Sequence, residues 1–238
     1  LQHRRTKIVA TIGPASRAPE TLRRLIDAGM DVARLNFSHG THAEHAQVIA
    51  DLRAISQDLD RPIAILQDLQ GPKIRTGALA NGQSVTLRDG ATFTITARDV
   101  AGDANMVSTT YPDLPNDVKP GDRILLSDGL IELRVTAVAP PDVTCQVVHG
   151  GELAEHQGIN LPGVAVSAPA LTEKDRDDLR FGVAQGVDYI ALSFVRHPED
   201  LTTARAALLE AQGAGARPIP IIAKLEKPEA IEHLDEIL

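Results

Sequence analysis

The chain has 238 residues, 43% of them apolar and 24% charged, with a formal net charge of −8, enough for one large domain or two smaller ones with their own cores. That anionic balance argues against a general nucleic-acid binder, which needs a cationic surface to displace counterions, so anionic ligands must be met by local Arg and Lys side chains. Cys145 stands alone and excludes an intrachain disulfide, no apolar stretch approaches membrane-spanning length, and Leu1-Gln2-His3-Arg4-Arg5 lacks the apolar segment of a secretion signal; together these fit a cytoplasmic protein.

The first apolar run, Lys7 to Gly13, predicts a buried parallel strand, and Pro19-Glu20 then opens a helix with Leu22, Leu25 and Ile26 on one face and Gly29 as its stop. A second run, Asp31 to Gly40, alternates Arg34, Asn36 and Ser38 with Leu35 and Phe37, so one side is polar and the other apolar. Ala46, Ile49, Leu52, Ile55 and Leu59 form the stripe of the next helix. The third run, Pro62 to Asp68, leads into Leu69-Gln70-Gly71-Pro72-Lys73-Ile74-Arg75-Thr76-Gly77. Asp68, Lys73 and Arg75 therefore gather around a tight turn.

From 78 to 168 the helical alternation stops and short half-buried strands take over. Thr92 to Thr96 alternates strictly, Arg123 to Leu126 and Leu130 to Val135 flank a Ser127-Asp128-Gly129 turn, and Asp142 to Val148 adds another strand. The segment reads as a small all-β module, placed where a lid could sit. Thr172-Glu173-Lys174-Asp175 then predicts a capped helix start with Leu179 and Val183 inside. A fourth run, Val187 to Arg196, carries Ser193, and Pro198-Glu199-Asp200 opens a helix with Leu201, Ala204 and Leu208 on one side. The fifth run, Pro218 to Glu226, puts Lys224 and Glu226 on one face and Ala223 and Leu225 on the other. Pro228-Glu229 opens a last helix with Ile231, Leu234 and Leu238 as its apolar face.

About five βα units alternate in this way, short of the eight that close a parallel barrel. The expected fold is an incomplete (β/α)₈ barrel made of 1–77 and 169–238, with the β module of 78–168 inserted after the third strand. Polar side chains cluster where those strands end. A buried Lys224 and Glu226 are costly unless paired or coordinating something. Beside Arg34 they suggest a phosphate and divalent-metal site, with Glu226 as the hard oxygen and Lys224 as the compact charge. Ser193 reads alone as an ordinary buried hydroxyl within reach of the same rim. His39, His42 and His45 are spaced by three, but the last two fall on a helix surface and read as solvated rather than as zinc ligands. No Walker-type loop and no dinucleotide fingerprint occurs.

The blocks Ala10 to Ser16, Ala33-Arg34-Leu35-Asn36-Phe37-Ser38-His39-Gly40, Gly71 to Gly77, Asn160-Leu161-Pro162-Gly163 and Ile222-Ala223-Lys224-Leu225-Glu226 resemble those of pyruvate kinase, in family order and across essentially the whole chain. The resemblance implies a (β/α)₈ barrel with a small β-barrel lid domain inserted after strand three, and phosphoryl transfer from phosphoenolpyruvate to ADP, giving pyruvate and ATP. It implies that Lys224 and Arg34 are catalytic and hold the substrate with Ser193. Asn36, Ser38, His39 and Arg75 would surround the nucleotide phosphates, and Glu226 would be one of two carboxylate ligands to Mg²⁺ or Mn²⁺. Asn36, Ser38, Asp68 and the carbonyl of Leu69 match the potassium site of potassium-dependent relatives. Such relatives carry Glu where this chain has Lys73, whose ammonium could replace the ion, so K⁺ is expected to be dispensable. Leu69-Gln70 replaces the common Thr-Lys, and His156-Gln157 stands where many relatives have a Lys pair.

Opening on Leu1 and ending at Leu238 inside an unfinished helical pattern, the chain reads as the N-terminal part of a longer enzyme, a homo-oligomer (tetrameric in the family), with negligible turnover on its own. Two alternatives are a non-catalytic short homologue that binds phosphorylated metabolites or a protein partner, and another Mg²⁺-dependent barrel enzyme acting on phosphoenolpyruvate or an oxo acid. The last explains Glu226 but not the β insert or the Arg34 to Gly40 block.

Overall fold

The computed structural model describes residues 5–164, 166–213 and 215–238; the expectation of no leader segment rests largely on Leu1–Arg4, outside them. In chain order the elements are β1 (Val9–Ile12), α1 (Pro19–Ala28), β2 (Val32–Asn36), α2 (His42–Asp58) and β3 (Ala64–Asp68). Then come β4 (Val85–Leu87), β5 (Thr92–Thr96), β6 (Met106–Ser108), α3 (Leu114–Asp117), β7 (Arg123–Leu126), β8 (Ile131–Ala139), β9 (Asp142–His149), β10 (Gly151–Leu153) and β11 (Ile159–Asn160). The chain closes with α4 (Glu173–Gln185), β12 (Tyr189–Leu192), α5 (Pro198–Gln212), β13 (Ile221–Ala223), α6 (Pro228–Glu232) and α7 (Leu234–Ile237). Two compact units result, one from residues 1–72 and 169–238, the other from 73–168.

In the first unit, five parallel strands lie in the order β1-β2-β3-β12-β13. Alternation sends Ile12, Ala33, Leu35, Ile65, Ile190 and Leu192 into one core with Leu22, Ile26, Ile49, Leu52, Leu179 and Leu208 from the helices. The opposite side carries Thr11, Arg34 and Leu66 in one row across β1, β2 and β3, and Asn36, Asp68 and Ala191 in the next across β2, β3 and β12. Thr41 and Thr172 each start their helix with a reciprocal capping box, to Glu44 and Asp175, which satisfies two otherwise orphaned donors per helix. Lower on the open side, Val9, Leu66, Tyr189 and Ile222 line a cavity of about 580 Å³.

The strands are shorter than the apolar runs imply. β2 stops at Asn36 because its side-chain oxygen takes the Ser38 N–H at 3.1 Å, turning the chain. Ser38 therefore lies in the turn and not on the strand face. β12 stops at Leu192 and β13 at Ala223, so Ser193, Lys224 and Glu226 sit just past strand ends. Leu225, expected against the helices, is 41% exposed. The last predicted helix breaks at His233, whose φ of −103° and ψ of 21° leave the helical region. Its apolar face shifts accordingly: Ala230 and Ile237 are buried, whereas Ile231 and Leu238 are exposed.

In the second unit, six strands run in the order β11-β7-β8-β9-β5-β6, with β4 and β10 paired beside them. Phe93, Ile95, Ile124, Leu126, Leu133, Val143 and Val147 are buried in its core. The unit starts five residues earlier than the sequence pattern does, at Lys73 rather than 78. Arg75 bridges Gly158 beside β11, and Thr76 bridges Thr109 beside β6. Residues 74–77 thus join the two ends of the sheet, which periodicity alone cannot reveal in so short a stretch. Among the described residues no helix is long and apolar enough to cross a membrane.

Candidate functional site

The C-terminal ends of β1, β2, β3, β12 and β13 in the first unit bring one polar cluster together. Asp68, the last residue of β3, is 2% exposed and joins two cations. Its Oδ2 accepts from Arg34 Nε at 2.7 Å and Nη2 at 2.5 Å. Its Oδ1 accepts from Lys224 Nζ at 3.1 Å. A lone buried carboxylate is strongly disfavoured, and two charge-assisted partners make its burial tolerable. Arg34 also reaches back to β1, where Nη1 donates to Thr11 Oγ1 at 2.7 Å.

Lys224 is the hub. Besides Asp68 it donates to Ser193 Oγ at 2.9 Å and lies 3.3 Å from Glu226 Oε1. Ser193, 2% exposed, donates its own hydroxyl hydrogen bond to the Leu69 carbonyl at 2.6 Å. Glu226 is held from the other side, its Oε2 accepting the Phe194 N–H at 3.0 Å. Phe194 adopts a φ of 57°, a conformation uncommon for a bulky residue and worth a functional question. It lets the backbone N–H face the carboxylate. Gly71 comes so close that a Cβ there would lie 2.9 Å from the Phe194 ring and 3.0 Å from Ser193 Cβ. The Gly71 N–H is pinned by the buried Asp175 at 3.0 Å.

Of the residues singled out in the sequence, Arg34, Asp68, Leu69, Ser193, Lys224 and Glu226 meet in this network. Asn36 lies beside Asp68 in register, and Ser38 and His39 follow in the turn. Arg75 and Lys73 belong to the second unit, where Arg75 Nη1 donates to the His156 carbonyl at 2.9 Å. Thr11 and the Phe194 N–H were missed. Thr11 is the register partner of Arg34 on β1, a signal available only once strand order is known. The histidines are a correction: His42 stacks on Phe181 at 4.2 Å and bonds Asp178, and His45 stacks on Phe37 at 4.1 Å, so neither is a freely solvated surface ring. Among the described residues no cluster of three or more His, Cys, Asp or Glu side chains could hold a metal by itself.

The family model described as "Pyruvate kinase, barrel domain" matches residues 3–238. The chain belongs to the pyruvate kinase family. Curated relatives include pyruvate kinases of Corynebacterium glutamicum, 48% identical, and Staphylococcus saprophyticus, 49% identical. A third, from Mycobacterium tuberculosis, is 47% identical. Each alignment covers 99% of this chain but 48%, 40% and 49% of those relatives in turn. The chain thus spans less than half the length of the family members it matches. Family membership places the strand-and-helix unit in the pyruvate kinase barrel, which agrees with the parallel sheet and with a polar cluster at the strands' C-terminal ends.

Proposed function

We propose that the protein carrying this chain transfers a phosphoryl group from phosphoenolpyruvate to ADP, giving pyruvate and ATP. The observation that carries the reading is the sharing of Asp68 by Arg34 and Lys224, with Ser193 and Glu226 in the same network. Two cations held 2.5–3.1 Å from one buried carboxylate form a preorganised anion site, which a phosphoryl group can enter with little rearrangement of its donors. Arg34 matches a phosphate with its planar donors, and Lys224 supplies a point charge. A loose phosphoryl-transfer transition state needs such electrostatic help more than covalent chemistry. Ser193 orients Lys224 and contacts the substrate, while Asn36, Ser38, His39 and Arg75 serve the nucleotide phosphates.

Glu226 fits a divalent cation. Its carboxylate is half-exposed, and Mg²⁺ commonly takes one or two protein carboxylates together with waters and substrate phosphates. When bound there, Mg²⁺ or Mn²⁺ would neutralise charge on the transferred group. Among the monovalent-cation ligands, Asp68 is already engaged by two cations and the Leu69 carbonyl by Ser193. That supports potassium being dispensable, with the Lys73 ammonium in its stead. The β module of 73–168 acts as the lid, and the protein works as a cytoplasmic homo-oligomer.

The test is pyruvate formation by the intact protein, coupled to lactate dehydrogenase. NADH oxidation that requires phosphoenolpyruvate, ADP and Mg²⁺ and persists without K⁺ is expected. No turnover with any divalent cation would overturn the assignment.

A further inference from the structure

The turn from β2 to α2, Phe37 to Gly40, is held by two donors that the reaction itself does not use. Lys174 Nζ, in the first turn of α4, donates to the Phe37 carbonyl at 2.8 Å. His45 Nε2, in the first turn of α2, donates to the His39 carbonyl at 2.9 Å. These carbonyls belong to the peptide planes just before Ser38 and just after His39, so fixing both fixes the segment between them.

Neither donor is loose. Lys174 is anchored by Asp178 Oδ2 at 2.5 Å, and the other oxygen of Asp178 accepts from His42 Nε2 at 2.7 Å. The Asp178 side chain is only 4% exposed, which strengthens both bonds. His45 lies nearly parallel to the Phe37 ring, at 4.1 Å and 12°, and His42 lies the same way on Phe181, at 4.2 Å and 12°. The Phe37 N–H is in turn taken by the Asp68 carbonyl at 2.9 Å. Ordinary surface side chains of a helix do not converge on one loop's carbonyls with a buried counter-ion behind them.

We infer that Lys174 and His45 are positioning residues for nucleotide binding: each clamps one carbonyl of the turn and so presents Ser38 and His39 to the phosphates of ADP. The inference rests on the phosphoryl-transfer reading and adds to it the groups that set its nucleotide loop. Neither side chain touches the substrate.

The experiment compares H45L, H45Q, K174M and K174R in the intact protein, measuring KM for ADP, KM for phosphoenolpyruvate, kcat and Tm. H45L and K174M should each raise KM for ADP about tenfold, the scale of one lost charge-assisted or buried hydrogen bond, while KM for phosphoenolpyruvate and kcat stay within about twofold. H45Q and K174R keep a donor and should recover most of the ADP affinity. A fall in Tm with unchanged KM for ADP would mean packing alone and overturns the inference; so does a loss confined to kcat. If one of the donor-less variants fails to fold, the other decides. A wild-type protein that makes no pyruvate refutes the functional reading and this inference with it, whereas active wild type with unmoved variants refutes this inference alone.

Discussion

Lys224 and Asp68 are joined at 3.1 Å across the intervening strand β12, from just past the end of β13 to the end of β3. The same carboxylate holds Arg34 from the middle of β2, so side chains from β2, from β3 and from the residue just past β13 meet at one buried anion. The first prediction concerns that anion. Asp68→Ala leaves Arg34 without its counter-charge and Lys224 with Glu226 alone, the two cationic side chains being only 30% and 28% exposed. Removing one partner of such a network costs about 3 kcal/mol, to be read as a shift in the urea midpoint with an unchanged slope. Equal stability of mutant and wild type would mean that the two cations find other partners.

Lys224→Met in the intact protein should lower kcat at least about 100-fold while KM for phosphoenolpyruvate changes little, because its charge is needed most where charge develops in the transition state. Steady-state kinetics with the coupled assay check this. A raised KM at unchanged kcat would place Lys224 in ground-state binding instead.

Gly182→Ala should destabilise the first unit although alanine is the better helix former. A Cβ at Gly182 would lie 1.9 Å from Gln67 Oε1, and Gln67 is fully buried with its Nε2 bonded to the Asp178 carbonyl at 2.6 Å. The helix gain is about 1 kcal/mol, against an overpacking cost of about 1–3 kcal/mol. To make room the fully buried Gln67 must give up its bond to the Asp178 carbonyl, so the cost wins. The double variant Gly182→Ala with Gln67→Ala should be more stable than Gly182→Ala alone.

Burial against Phe37 holds the His45 imidazole below its ordinary value of 6.5, against opposing pulls from the His39 carbonyl and the carboxylates of Asp178 and Glu44. The folded state thus prefers the neutral ring. Between the lowered folded value and 6.5 the unfolded chain binds more protons, so stability present above 6.5 is lost as pH falls through that window. His45→Gln should flatten this part of the pH profile of the denaturation midpoint. An unchanged profile would assign the titration to another group.

Cys145 is fully buried in β9, and burial alone pushes its thiol up to about 12. With no thiolate and no access it should be inert to thiol reagents at pH 8 in the folded protein and react only on unfolding. Fast modification under native conditions would show that β9 opens locally.

The succession of strands along the chain and the helix starts were legible from local pattern. The five aliphatic runs, the Thr172 capping box and the Gly29 stop depend on neighbours a few residues away, and they reappear as β1, β2, β3, β12, β13, α4 and α1. The residues Arg34, Asp68, Lys224 and Glu226 could be picked out because charge at the end of a buried run is costly without a purpose. Where each strand stops was not legible, since a turn such as the one Asn36 makes with Ser38 depends on a single hydrogen bond.

What the sequence by itself determined is therefore which side of β2 is polar and which elements follow one another, because alternation and capping are local rules. Tertiary structure alone decided that Asp68 is the shared partner of Arg34 and Lys224, that Thr11 backs Arg34, and that residues 74–77 belong with the β unit. Those contacts span strands far apart in the chain. Their existence depends on sheet order and register, and no local pattern encodes which distant strand becomes a neighbour.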